Sequence, residues 1–252
     1  MVEVHDFEAM GEALGNACAV LRNNAASAGL DAPVPTCPGW TVRDLVTHQG
    51  VVHRWATGIL QGAGRQDESE WVEQSGAGDL LEWFDDGMAE LLDTFSRAPA
   101  DLDVWFLPFA DAPRPRDAWL RRQVHETTIH AVDAMAARLG APPTSDQVWV
   151  PAWVSADGVD ELLTGLSGMF TLGAQATARV LVQATDTGHS WLLETGAEKT
   201  RPTRDPGPVD ADTTVSGTAR QLYLALWNRG AEVAASDPDW FGAWAQAVRV
   251  RR

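Results

Sequence analysis

Three residues in this chain have the types and the spacing to hold a metal ion. They are His48 in Thr47-His48-Gln49, and Glu126 and His130 in His125-Glu126-Thr127-Thr128-Ile129-His130. Glu126 and His130 are four residues apart, so on a helix they share one face. Two imidazoles and a carboxylate are a typical ligand set for a catalytic zinc, which leaves its fourth position open to water or substrate. The same donors suit iron, nickel or cobalt, so zinc is a preference among divalent ions. His125 lies off the Glu126–His130 face, and the arrangement is therefore not the HExxH pair of a zincin. Taken alone, a Glu and a His at this spacing more often serve as ordinary polar helix residues.

The elements that must position these groups are helices. Met10, Leu14, Ala17 and Leu21 recur at helical spacing and predict a helix from Phe7 to Ala28. A Pro-rich loop, Ala32 to Trp40, precedes a second helix that starts at Thr41 and runs to about Leu60. Thr41 and Asp44 form a capping pattern at its start, and Gly62-Ala63-Gly64 ends it. A third helix fits Asp79 to Arg97. A fourth fits Asp117 to Leu139, closed by Gly140 and Pro142-Pro143. Four such helices predict an antiparallel bundle, a fold in which metal sites are built from facing helices.

Within the second helix, Leu45, His48, Val52 and Trp55 make a stripe that turns His48 toward the core. His53 lies ~140° around the wheel from His48 and is the weaker ligand candidate. In the fourth helix Arg122, Glu126, His130 and Asp133 form a polar line. If that line faces inward, its charges need partners or a metal to offset desolvation. Asp133 is then a candidate acceptor for a ligand imidazole N–H. Trp40 and Trp55 are candidates to line a pocket near His48, although most of the twelve tryptophans must be packing residues.

The pattern changes after Pro142–Pro151. Residues 180–185 and 190–194 read as strands of a hairpin around Asp186-Thr187-Gly188-His189. Residues 197–212 read as a loop, and Thr213 to Ser216 as a short strand. A helix from Ala219 to Asn228 follows, and Asp237-Pro238 opens a last one. The expected organisation is an α-helical domain over residues 1–145 and a smaller α+β domain over 146–252.

Composition excludes several classes. Nineteen basic against thirty-five acidic residues give a net charge of −16, Lys199 is the only lysine, and the arginines are scattered. Such a chain is not built to bind a nucleic-acid backbone. No apolar run is long enough to span a membrane, and residues 1–6 lack the regions of a signal peptide, so a cytoplasmic location is expected. Cys18 and Cys37 lack the spacing of a disulfide framework or a zinc knuckle and read as small buried residues.

The stretch from Val34 to His48, with His53-Arg54-Trp55 beyond it, resembles the mycothiol-dependent maleylpyruvate isomerase family, a branch of the DinB-like metal-binding superfamily. Two further stretches carry the same resemblance. One is His125-Glu126 through His130 and Asp133. The other is Ser190 to Leu193 with Val215 to Thr218 and Leu222 to Arg229. Ala131-Val132 depart from many relatives, which bears on the substrate and not on the metal.

The resemblance implies a DinB-like four-helix bundle followed by a sterol-carrier-like α/β domain that helps to close the site. It implies His48, Glu126 and His130 as ligands of a divalent metal and mycothiol as the thiol cosubstrate. Arg229 falls on a family arginine linked to activity and is a candidate clamp for an anionic substrate or thiol. A cation bound to the last carbonyls of a helix is the alternative reading of Arg229. The implied chemistry is attack of a metal-activated thiolate on a small electrophile, as a cis–trans isomerase or an S-transferase. Two alternatives remain open: a non-catalytic protein that binds a small apolar ligand, and a metal-dependent hydrolase of the same superfamily.

Overall fold

The computed structural model describes residues 6–64, 66–107, 114–166, 178–195 and 200–248. The chain divides into two compact units, with a break between Pro143 and Thr144.

The first unit is helical, with α1 (Phe7–Ala28), α2 (Val42–Leu60), α3 (Glu68–Ser75), α4 (Leu80–Arg97) and α5 (Pro115–Leu139). α1 packs along α5, α2 lies against α4 and α5, and α4 also meets α1. Leu14, Leu21, Leu45, Phe84, Leu91 and Leu120 fill the space between them. The start of α2 is fixed by a reciprocal cap. Thr41 Oγ1 accepts from the Asp44 amide at 3.3 Å, and Asp44 Oδ2 accepts from the Thr41 amide at 2.9 Å. α5 begins with Pro115 in its first turn and ends at Gly140, whose φ of 71° places it in the left-handed region. α3, eight residues long and mostly polar, has no counterpart in the periodicity of the sequence.

α5 is buried around most of its circumference. Leu120, Val124 and Ala131 are covered, and so are Arg122, Gln123, His125, Thr127 and Asp133. A helix enclosed in this way need carry no single apolar stripe. Its polar line therefore faces protein, which is the case in which the charges require partners.

The second unit opens with a 3₁₀ turn at Ser145–Gln147. α6 (Ala152–Asp160) follows and runs directly into a π-helical turn, Glu161–Leu166. Five strands form one mixed sheet: β1 (Ala178–Ala184), β2 (Ser190–Thr195), β3 (Arg201–Arg204), β4 (Thr213–Gly217) and β5 (Ala234–Ala235). Their order is β3-β2-β1-β4-β5. β1 and β4 are parallel and the other pairs antiparallel. The expected hairpin is present, with Leu181 opposite Leu192. α7 (Ala219–Leu226) packs on α6, and α8 (Pro238–Ala247) is capped by Asp237. Asp160 of α6 ties the sheet down, accepting from Trp191 Nε1 at 2.9 Å and from Arg204 Nη2 at 2.9 Å.

Two expectations for this unit need correction. Residues 201–204 are not loop: they pair with β2, with Pro202 opposite Leu193. β3 is an edge strand, where a proline can sit facing away from the ladder. The helix expected to reach Asn228 ends at Leu226, because Asn228 adopts a φ of 61° that turns the chain out of the helix.

Candidate metal centre

α2 contributes His48, and α5 contributes Glu126 and His130. The ligating atoms of these three residues all lie within 4.8 Å of one another. Glu126 Oε1 stands 3.5 Å from His48 Nε2 and 3.3 Å from His130 Nε2. An ion with bonds of ~2.0–2.1 Å places neighbouring tetrahedral ligands ~3.3–3.4 Å apart, so the spacing fits a zinc-sized ion.

The surrounding groups fix how each donor is presented. His130 Nδ1 is 2.9 Å from Asp133 Oδ2, which is fully buried on the next turn of α5. With an ion bound, a proton held on Nδ1 by that carboxylate would leave the Nε2 lone pair free to serve as the ligand. Arg122 Nη2 donates to Glu126 Oε2 at 2.6 Å. One carboxylate oxygen is thus occupied by the guanidinium, and the other faces both imidazoles.

Electrostatics follow from this geometry. Burial pushes the Glu126 carboxyl upward, but the Arg122 guanidinium and hydrogen bonds to His130 and His48 outweigh it and hold the group well below the usual carboxylate range. Burial pulls His130 down, yet Asp133 and Glu126 together raise it to about 9.

The loop before α2 closes over these groups. Trp40 meets His48 edge-on with ring centres 5.2 Å apart and stacks on His130 at 6.0 Å. Trp55, the other candidate, is a packing residue. It packs on Trp119 at 5.0 Å and Trp105 at 6.1 Å, and lines a cavity of about 780 Å³ with Ile59 and Asp103.

The two histidines of α2 exchange the environments expected from the wheel. His53 is fully buried, whereas the His48 side chain keeps 37% of its exposure. The buried face of α2 runs through Val42, Leu45, Val46, Gln49, His53, Ala56 and Leu60, so Val52 and Trp55 lie at its margin and do not mark its centre. Burial, then Arg54, lowers His53 to about 3, which keeps its ring neutral. His53 Nε2 lies 3.0 Å from Thr127 Oγ1, which also accepts from Gln49 Nε2 at 3.1 Å. His48 sits at the solvent-facing rim of this group.

Comparison with known proteins bears on the whole chain. Residues 11–135 match the mycothiol maleylpyruvate isomerase N-terminal domain, and residues 154–247 match the C-terminal domain of the same proteins. The chain belongs to the mycothiol-dependent maleylpyruvate isomerase family. Two crystal structures of a mycothiol-dependent maleylpyruvate isomerase, one of them a histidine-to-alanine variant, share its fold. They align with TM-scores of 0.63 and 0.61 at 14% and 16% identity, each over 92% of this chain and 93% of the other. No curated protein matches the sequence.

Arg229 belongs to the second unit of this family member. Its amide donates to Leu224 O at 2.7 Å and its Nη1 to Trp227 O at 2.8 Å, so it binds carbonyls at the end of α7. Cys37 departs from the small buried residue expected of it: it is only partly buried, and its Sγ donates to Asp133 Oδ2 at 3.2 Å, across 96 positions of chain. Cys18 does behave as a buried residue, its thiol pushed up to about 12 by burial.

Proposed function

We propose that this protein is a mycothiol-dependent metalloenzyme that acts on a small electrophile, with His48, Glu126 and His130 as the ligands of one divalent ion. Zinc is the first choice, because two imidazoles and one carboxylate leave an open fourth position. The observation that carries the reading is the shared Glu126 Oε1, which faces both Nε2 atoms while Asp133 occupies the far nitrogen of His130. When bound, such an ion supplies the positive charge that favours the thiolate form of a cosubstrate thiol at neutral pH.

Each side chain has a part that does not depend on the identity of the ion. Asp133 holds the His130 proton on Nδ1 and sets the ring orientation. Arg122 holds Glu126 by one oxygen and balances its charge. Trp40, packed on both imidazoles, excludes water from one side of the site. The partly exposed rim at His48 is the side from which thiol and electrophile approach.

The reaction class is addition of a thiolate to an activated alkene, rotation about the loosened bond, and expulsion of the thiolate. That sequence gives cis–trans isomerisation of a substrate of the maleylpyruvate type. Displacement of a leaving group at the same position gives S-transfer. Arg229 is the candidate clamp for a carboxylate of substrate or thiol. The reading takes residues 1–145 as a DinB-like four-helix bundle and 146–252 as a sterol-carrier-like domain, in a cytoplasmic protein. No described helix is long and apolar enough to cross a membrane.

The test is an isomerase and S-transferase assay on metal-loaded protein, with and without mycothiol. Turnover that requires the thiol supports the reading. Hydrolytic turnover without any thiol moves the assignment to a metal-dependent hydrolase, and binding without turnover moves it to a carrier.

A further inference from the structure

His130 stands between two donor sets. On its Nε2 side are Glu126 and His48. On its Nδ1 side are Asp133 and Cys37, and the ligating atoms of Cys37, His130 and Asp133 also lie within 4.8 Å of one another. We propose that Cys37, His130 and Asp133 form a second, thiolate-containing site for a thiophilic divalent cation, in competition with the first site for His130.

The geometry supports such a site. Asp133 Oδ2 receives the Cys37 thiol at 3.2 Å and is 2.9 Å from His130 Nδ1. Two donors thus converge on one buried carboxylate oxygen, an arrangement that a cation can replace by taking all three atoms as ligands. Sulfur, imidazole nitrogen and carboxylate oxygen are a usual zinc set, and the sulfur favours zinc or cadmium over magnesium or calcium. The thiol is held in place by a tight loop. Val34 N donates to Trp40 O at 2.9 Å, Cys37 N to Val34 O at 3.0 Å, and Trp40 N to Cys37 O at 3.0 Å. Gly39, at a φ of 89°, makes the reversal without strain. Cys37 keeps part of its surface open and gives an ion a way in.

Sharing His130 makes the two sites exclusive. Binding at the second site releases the Cys37 Sγ proton to solvent and takes Nδ1 of the neutral imidazole as a ligand. The imidazole proton is then on Nε2 and points at Glu126. A neutral imidazole has one free lone pair, so His130 cannot serve both ions at once. Excess thiophilic metal therefore withdraws His130 from the first site and inhibits any activity that depends on it.

Cadmium titration of the full-length protein tests this by the ultraviolet thiolate-to-cadmium charge-transfer band, with native mass spectrometry counting ions. The wild type should develop the band and hold a single ion per chain at saturation. Cys37→Ser and Cys37→Ala, each checked for fold by near-ultraviolet circular dichroism, should lack it. Asp133→Asn, which removes a charged ligand, should require more cadmium to reach the same band. His48→Ala should keep the band, because His48 serves only the first site. A band that survives both Cys37 substitutions, a band lost with His48, or two ions bound together would overturn the proposal. Zinc uptake by Cys37→Ser reports separately on the first site. Its failure there would sink the His48–Glu126–His130 reading and leave the Cys37 site standing on its own band.

Discussion

Arg122 and Glu126 stand one turn apart on α5, and the guanidinium binds one carboxylate oxygen at 2.6 Å while the other faces two imidazoles. The pair therefore leaves Glu126 a single oxygen to offer a cation. It also makes the metal-free protein tolerate an ionised, largely buried carboxylate.

Removal of the guanidinium exposes that dependence. Arg122→Met should lower the stability of the metal-free protein by about 3 kcal/mol, the scale for leaving one member of a buried pair without its partner. Added zinc should recover part of the loss, since a cation restores the balance at Glu126. Urea unfolding with and without zinc measures both effects.

Asp133 acts on the site through His130. Asp133→Asn should retain the fold and weaken binding of zinc at the first site by ~10–100-fold, the usual penalty for losing the acceptor behind a ligand imidazole. Competition with a chromogenic chelator gives the affinity. Unchanged affinity would remove Asp133 from the account.

Much of the site can be read from the chain, and the reasons for the remainder are specific. The Thr41/Asp44 cap and the four-residue step from Glu126 to His130 are local, and local geometry translates directly into sequence pattern. The order of burial of His48 and His53 is not local. It depends on α4 and α5 covering the Val42, Leu45, Val46 and Ala56 side of α2, which the wheel alone does not reveal. The contact of Cys37 with Asp133 joins a loop to a helix 96 residues away and leaves no periodic trace. β3 escaped notice because a four-residue edge strand containing Pro202 has the composition of a loop.

His53 predicts the acid side of the stability profile. Its folded value of about 3 lies below the ordinary 6.5, so the unfolded chain binds the extra proton first. Stability from this group is complete above pH 6.5 and is lost as pH falls from there toward 3. The limiting slope is about 1.4 kcal/mol per pH unit. His53→Gln should flatten that part of the curve relative to wild type in denaturant titrations of metal-free protein, and an unchanged slope would contradict the assignment.

Gly50 lets α2 approach Trp83 of α4 closely. A methyl group there would meet the Trp83 ring 2.1 Å away, and that ring is held by Arg54 at 3.7 Å from its centre. Gly50→Ala should therefore destabilise by about 1–3 kcal/mol through overpacking of α2 on α4. Thermal unfolding measures this directly.

The proposed part of Arg229 in holding an anionic substrate is tested by substitution. Arg229→Gln should raise KM for an acidic electrophile while leaving metal content unchanged. A loss of bound metal in that variant would assign the residue a structural part.

The central claim is that His48, Glu126 and His130 hold one divalent ion. Metal content of the purified protein by mass spectrometry, beside a His48→Ala/His130→Ala double variant, tests it most directly. The account predicts about one equivalent in the wild type and none in a variant that remains folded. An absence of metal in the wild type after reconstitution, or full retention in the double variant, would contradict it.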